Sequence, residues 1–176
     1  MSEKAIIVGA VALAMLPAVV NRANAQSSHL MVPQSIRYEH KTIIDRLTKE
    51  AARSGVAAAV AQRALVVIKA HFAKEEEFVF PPLGLLDQIA AGEVPSADVK
   101  RAAIDMAERT KMAQADLNQE HLQIVGLMNE LVQYATRAEE PGLMAFASDL
   151  AAHSLHEAEI LADHDRRRLQ NLDLVQ

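Results

Sequence analysis

Residues 71–81 read His71-Phe-Ala-Lys-Glu75-Glu-Glu-Phe-Val-Phe-Pro81, and this stretch decides the fold. A histidine and a glutamate four residues apart lie on the same face of an α-helix, one turn from each other. Pro81 and Pro82 end such a helix, because proline has no N–H to donate and its ring clashes with the preceding turn. The stretch therefore predicts a helix that carries a paired imidazole and carboxylate near its C-terminal end.

The same arrangement is given twice along the chain, as a Glu-His pair followed later by His-x-x-x-Glu. Within each copy the two histidines are 31 or 32 residues apart, which suits one helix, a turn and a second helix. Two histidines and one glutamate, presented twice on four helices, can converge on a buried pair of metal ions. The first copy is Glu39-His40 with His71 and Glu75, and the second is Glu120-His121 with His153 and Glu157.

Four helices are predicted between residues that stop or cap a helix. Gly55 is placed to stop the first helix, Pro81 ends the second, Ser96 is a good N-cap for the third, and Pro141 suits the start of the fourth. No stretch alternates polar and apolar residues as a strand would. We therefore predict an all-α, up-down-up-down four-helix bundle over residues 35–170. Its helices are expected at about residues 34–54, 56–80, 97–139 and 141–169.

Each of the four histidines lies in the apolar stripe of its helix, as His40 does between Ile36 and Ile43. A lone histidine in such a stripe is usually a hydrogen-bonded core residue. Here four helices repeat the feature, and burying two carboxylates without partners would cost several kcal/mol each. Because a domain is stable by only roughly 5–15 kcal/mol, such a core needs compensation. A metal cluster supplies it; the alternative is a metal-free bundle with buried His–Glu pairs.

The ligand types restrict the metal. The chain has no cysteine, and imidazole with carboxylate suits iron, manganese or zinc. Ferritin-like di-iron bundles use Glu-x-x-His, but no histidine in this chain has a glutamate three residues before it. Six protein ligands exceed the four of a structural zinc site, whereas a dinuclear centre bridged by two carboxylates uses all of them. The six are His40, His71, Glu75, His121, His153 and Glu157.

These residues resemble the hemerythrin-like, or HHE cation-binding, family, over residues 35–165. The most specific match is the quoted stretch, where histidine, glutamate and a closing proline follow the family's register. The second copy matches less fully, because Ala162-Asp163 replace the Phe-Pro ending. The resemblance implies a four-helix bundle that holds two non-haem iron ions. It also implies terminal ligands at His40, His71, His121 and His153 and bridging ligands at Glu75 and Glu157.

The chain departs from the oxygen-carrying members that it resembles. Those members carry a second histidine four residues after the first on the third helix, where this chain has Val125. They also use His-x-x-x-x-Asp on the fourth helix, where this chain has His153-x-x-x-Glu157. Four histidines rather than five would leave an open position on each iron. Binding, sensing or reducing oxygen, NO or peroxide, near Ile44 and Ile124, is therefore favoured over reversible oxygen carriage.

Residues 1–25 read as a signal peptide. Lys4 gives the segment a short, weakly charged start, and an apolar run follows. Ala23-Asn24-Ala25 then supplies a small-x-small cleavage site. Cleavage near Ala25 predicts a periplasmic or secreted protein with a flexible lead-in over residues 26–34 and no stable membrane insertion. The alternative is a membrane anchor formed by an uncleaved N-terminus.

The charge and composition bear on the partners. A formal net charge of −5, without a basic stripe, predicts no nucleic-acid partner. No protein partner is indicated, and the expected ligand is a small diatomic molecule or peroxide. Two further functions stay open: an iron or divalent-metal binding or storage protein without turnover, and an interaction module that metal merely stabilises. Turnover itself is left open by the sequence.

Overall fold

Four long helices account for most of the chain after residue 33. The computed structural model describes the backbone of residues 30–173 and the side chains of residues 30–159. The predicted signal peptide and the lead-in up to residue 29 lie outside this part. Within it there is no strand, and a short helix stands between the second and third long ones. The helices are α1 Gln34–Ala51, α2 Val56–Lys74, α3 Leu86–Ala90, α4 Ala97–Arg137 and α5 Pro141–Asp173.

The ends of the helices follow the predicted residues with one correction. The Ser96 side chain accepts a hydrogen bond from the Val99 amide at 3.3 Å, which caps α4. Pro141 begins α5 as expected. Gly55 was predicted to stop the first helix, but α1 ends earlier, at Ala51. Gly55 instead directly precedes α2 with φ of 95°, a left-handed conformation that suits glycine.

The second helix is not α-helical throughout, contrary to the prediction that it runs unchanged to about residue 80. It changes at Glu75 into a π-helical turn, Glu75–Val79, which we call the π segment. The Phe80 amide donates to the Glu75 carbonyl, five residues back, at 2.8 Å. A 3₁₀ turn, Pro81–Leu85, follows. Because the prolines lack N–H groups, the α-helical ladder cannot continue through them, and the last turn widens.

Contacts between side chains give the order of the helices. Arg63 on α2 pairs with Glu130 on α4, and Arg109 on α4 pairs with Glu77 of the π segment, so α2 and α4 are antiparallel. Arg46 on α1 donates to the Gly142 carbonyl on α5 at 3.2 Å, which closes the ring of helices. The long helices thus run up, down, up and down. The largest fully buried side chains between them are Leu47, Ile68, Leu117, Ile124, Met128, Leu131, His71 and His121.

One helical stretch of the described chain is long and apolar enough to cross a membrane. It is Val56–Ala90, whose most apolar window has a mean hydropathy of 1.4, and 44% of that window is buried in the bundle. A core helix meets the same criterion, because its buried face is apolar for packing. Ala61, Ala64 and Ile68 are all fully buried. We therefore assign the apolar character of this stretch to the core of the bundle.

Candidate metal centre

Three helices bring two histidines and two glutamates together at the centre of the bundle. One donor atom from each of His71, Glu75, His121 and Glu157 lies within 4.8 Å of the other three. The His71 Nε2 is 3.3 Å from the Glu75 Oε1, and the His121 Nε2 is 3.1 Å from the Glu157 Oε2. The two Nε2 atoms are themselves 3.0 Å apart. This central cluster joins the His71 and Glu75 motif to His121 of α4 and Glu157 of α5.

The two remaining predicted ligands each adjoin the central cluster. The His40 Nε2 on α1 is 3.5 Å from the Glu75 Oε2. The His153 Nε2 on α5 is 3.2 Å from the Glu157 Oε1. Neither histidine belongs to the four-donor cluster, and each reaches it through one carboxylate. The six residues proposed from the sequence therefore form one connected group, and their role as a ligand set stays a prediction.

All four histidines have the same orientation. Their Nε2 atoms face the two carboxylates, and their Nδ1 atoms face away. The His40 Nδ1 is 2.8 Å from the Glu76 Oε1, and the His71 Nδ1 is 3.1 Å from the Glu120 Oε2. A carboxylate that accepts from Nδ1 leaves the Nε2 lone pair free for a metal.

Glu76 and Glu120 are therefore residues that the sequence reasoning missed. Glu76 stands in a run of three glutamates, which by itself is typical of a solvated face, but its side chain is only 40% exposed and contacts His40. Glu120 directly precedes a predicted ligand, which by local spacing would turn it away from the site, but it reaches from α4 to the histidine of α2, and Lys74 also binds it. These contacts depend on how neighbouring helices are aligned, and no local sequence signal encodes that alignment.

The central cluster fits a cation for two reasons. With the His71 Nδ1 proton held by Glu120, the Nε2 atoms of His71 and His121 face each other, and two lone pairs at 3.0 Å repel unless a proton or a metal lies between them. In addition, the buried Glu75 Oε2 has no hydrogen-bond partner, since the His40 Nε2 at 3.5 Å is too distant. A positive ion would satisfy both groups, and the donor set contains only imidazole and carboxylate.

Burial is unequal across the site. His40, His71 and His121 are at most 4% exposed, but the His153 side chain is 35% exposed. The sequence places all four in the apolar stripes of their helices, and the His153 side chain is only partly buried there. The cause is a gap between α1 and α5, a cavity of about 120 Å³ beside His153. Its lining is Glu39, Ile43, Phe146, Asp149, Leu150 and His153.

Two neighbours of the predicted ligands lie outside the donor cluster. Phe72 packs on the His40 ring, with centroids 3.7 Å apart and an interplanar angle of 5°. His156, whose residue four positions on is Ile160 and not a carboxylate, is exposed. His164 lies outside the residues whose side chains are described.

The charges of the site shift its protonation equilibria. Burial lowers the pKa of His71, but Glu75 and Glu120 outweigh burial and raise it above the ordinary 6.5. The bond to Glu157 raises the pKa of His153 against its partial burial. Burial opposes ionisation of Glu157, yet His121 and His153 lower its pKa from 4.5 to about 2. Without metal, the site therefore favours the protonated forms of His71 and His153 and the ionised form of Glu157.

These shifts predict opposite pH dependences for the metal-free and the metal-bound protein. The lowered pKa of Glu157 adds stability above pH 4.5 that is lost as the pH falls toward 2. The raised pKa values of His71 and His153 add stability below pH 6.5 that is lost as the pH rises through the folded values. The melting temperature in chelator should thus be highest between pH 4.5 and 6.5.

Metal needs neutral imidazoles, so metal binding should release protons and strengthen as the pH rises. The increase in melting temperature on adding zinc should therefore grow above pH 6.5, where the metal-free protein loses stability. Calorimetric melting curves in chelator and in excess zinc would measure both trends. A zinc-induced increase that is the same at every pH would contradict the assignment of these histidines to the metal.

Comparison with known proteins gives one match. Residues 32–164 match the family model described as the hemerythrin HHE cation binding domain. No curated protein and no solved structure matches the chain. The matched range contains the four residues of the central cluster and the two histidines that adjoin it. With that cluster of histidines and glutamates at its centre, the chain belongs to the hemerythrin HHE cation-binding domain family.

Proposed function

We propose that this protein is exported and holds a non-haem di-iron centre that binds, senses or reduces oxygen, NO or peroxide. The observation that carries the proposal is the orientation of four imidazole Nε2 atoms toward two carboxylates, the buried Glu75 and the partly buried Glu157. A His₄Glu₂ donor set without thiolate suits iron, with manganese or zinc as alternatives. Iron would supply redox chemistry with small ligands, and the chain would supply its geometry and surroundings.

The two carboxylates are suited to bridge two ions. Glu75 has one oxygen toward His40 and the other toward His71, and Glu157 has one oxygen toward His121 and the other toward His153. Each carboxylate thus contacts two histidines through different oxygens. We assign His40, His71, His121 and His153 as terminal ligands on this basis.

The cavity beside His153 supports access by a small ligand. Its volume of about 120 Å³ is several times that of a water molecule, whose share of liquid volume is about 30 Å³. The cavity lies next to His153, whose side chain is the most exposed of the four histidines. Ile124 on α4 is 1% exposed and excludes water from the interior. A diatomic molecule or peroxide would therefore approach the centre from the His153 side.

A second function is storage or structural binding of a single divalent ion. It is favoured by the compactness of the central cluster, whose four donors all lie within 4.8 Å of one another, since four ligands suffice for a structural zinc. An interaction module stabilised by metal remains a third proposal. Neither of these two requires any reaction at the ion.

Reaction with small ligands separates these functions. The full chain is loaded with iron(II) without oxygen and then exposed separately to oxygen, NO and peroxide, while its visible absorption is recorded. We expect new absorption bands in at least one case, abolished in His153→Ala and retained in His156→Ala, a matched change one turn away on the exposed surface. Iron that stays spectroscopically unchanged with all three ligands would contradict the proposal and favour storage. Export is tested separately by N-terminal sequencing, which should find a mature chain that begins near Gln26.

A further inference from the structure

The four histidines differ in what supports them from outside the cluster. His40 and His71 each place Nδ1 within hydrogen-bond distance of a carboxylate, at 2.8 and 3.1 Å. The His153 Nδ1 is 3.9 Å from the Glu39 Oε1, which is too long for a hydrogen bond. The His121 Nδ1 is buried and has no partner. We name His40, His71 and Glu75 the α1–α2 half, and His121, His153 and Glu157 the α4–α5 half.

The residues that contact His40 and His71 in the α1–α2 half are themselves held in place. Lys74 binds the second oxygen of Glu120, so the carboxylate that contacts His71 is fixed at both ends. His40 is held between Glu76 on one side and the face of Phe72, stacked at 3.7 Å. Both imidazoles are at most 4% exposed. Neither ring can turn without breaking a buried contact.

The α4–α5 half lacks this support. His153 is 35% exposed and borders the gap between α1 and α5, and Glu157 is 22% exposed. The Glu39 side chain next to His153 is itself 53% exposed. The His153 side chain is therefore less constrained before binding than His40 or His71, and this half loses more side-chain entropy when it binds an ion.

We propose that the two halves bind divalent metal with unequal affinity. The first ion binds tightly to the α1–α2 half, the second binds more weakly to the α4–α5 half and exchanges through the gap, and Glu76 and Glu120 are the positioning residues that create the difference. Carboxylates that hold a ligand histidine by its other nitrogen typically contribute 10–100-fold in metal affinity. The inference rests on the proposed two-ion centre.

Calorimetric titration of the metal-free full chain with Co²⁺ tests the inequality. We expect two binding events whose dissociation constants differ by about 10-fold or more. Glu120→Gln should weaken the first event by about 10-fold and leave the second unchanged, because the amide keeps the shape but loses the charge that makes His71 a stronger ligand. The visible spectrum of the first Co²⁺ ion should shift in the same variant, which a purely structural role would not produce.

The control and a second variant use the same pair of helices. Glu130→Gln removes the carboxylate of an α2–α4 ion pair with Arg63, away from the histidines, and should change neither event. Lys74→Met leaves Glu120 in contact with His71 but frees its other oxygen, and should weaken the first event less than Glu120→Gln does. This variant keeps the test usable if Glu120→Gln does not fold.

The outcomes separate this inference from the proposed function. Two ions of equal affinity would overturn the inequality and leave the dinuclear centre standing. A single ion per chain would overturn the dinuclear centre itself. Two unequal ions of which Glu120→Gln weakens only the second would overturn the assignment of the tight site to the α1–α2 half.

Discussion

Replacing Glu75 by glutamine is expected to lower the affinity for metal more than about 100-fold, beyond the range for residues outside the ligand set. The Glu75 oxygens lie within 3.3–3.9 Å of an Nε2 atom of three histidines, from α1, α2 and α4. Among the carboxylates of the described part of the chain, Glu75 contacts the most predicted ligand histidines, three against two for Glu157. Its loss would therefore affect both ions. An amide of the same shape cannot bridge two cations as a carboxylate does.

The same variant separates metal binding from folding. Metal at 1,000 times its dissociation constant stabilises a protein by about 4 kcal/mol, and this gain should vanish in Glu75→Gln. Without metal, the variant should melt below the wild type at pH values under 6.5, because Glu75 stabilises the protonated His71 in the metal-free protein. Melting curves with and without zinc measure both effects.

Glu77→Gln is the matched control for Glu75→Gln. Glu77 belongs to the same π segment, but its side chain is 61% exposed and pairs with Arg109. The zinc-induced stabilisation should be retained in this variant. If Glu75→Gln also kept its full zinc-induced stabilisation, Glu75 would not be a metal ligand.

Replacing Leu131 by alanine is expected to destabilise the bundle by about 2–5 kcal/mol. Leu131 is completely buried on α4 in the main core, and its removal leaves a cavity that packed helices fill only in part. The loss is a large fraction of a typical stability of about 5–15 kcal/mol. Urea unfolding of the metal-free protein measures it.

The Leu131→Ala variant also distinguishes the stability of the core from metal binding at the site. It lies ten residues after His121 on the same helix, about 15 Å along the axis, so the folded variant should bind the same number of ions per chain. Leu122→Ala, on the same helix and 59% exposed, should change the stability by less than about 0.5 kcal/mol. Equal destabilisation by the two variants would mean that the helix face assigned to the core is wrong.

The helices and the predicted ligands could be read from the sequence because both depend on local spacing. The i to i+4 relation of His71 to Glu75 is a property of a single helix, and the apolar stripe around it predicts the inward face. The repeat of that spacing in His153 and Glu157 then predicts that two such faces meet. The structure brings these four residues together with His40 and His121 as the spacing suggested.

The rest of the site depends on relations between helices that local spacing does not encode. The contact of Glu120 with His71 requires the axial alignment of α2 with α4, and the exposure of His153 requires the gap between α1 and α5. The π segment was missed because an α-helix and a π-helix have the same composition. Glu75 and Glu76, the first two residues of the π segment, both contact His40.

The metal content of the purified full-length protein tests the central claim most directly. Elemental mass spectrometry should find about two iron atoms per folded chain, as a centre with two bridging carboxylates and four imidazoles requires. A folded chain that carries no metal, and takes none up when iron(II) is supplied without oxygen, would contradict the account. It would leave a bundle whose buried histidines and glutamates pair only with one another.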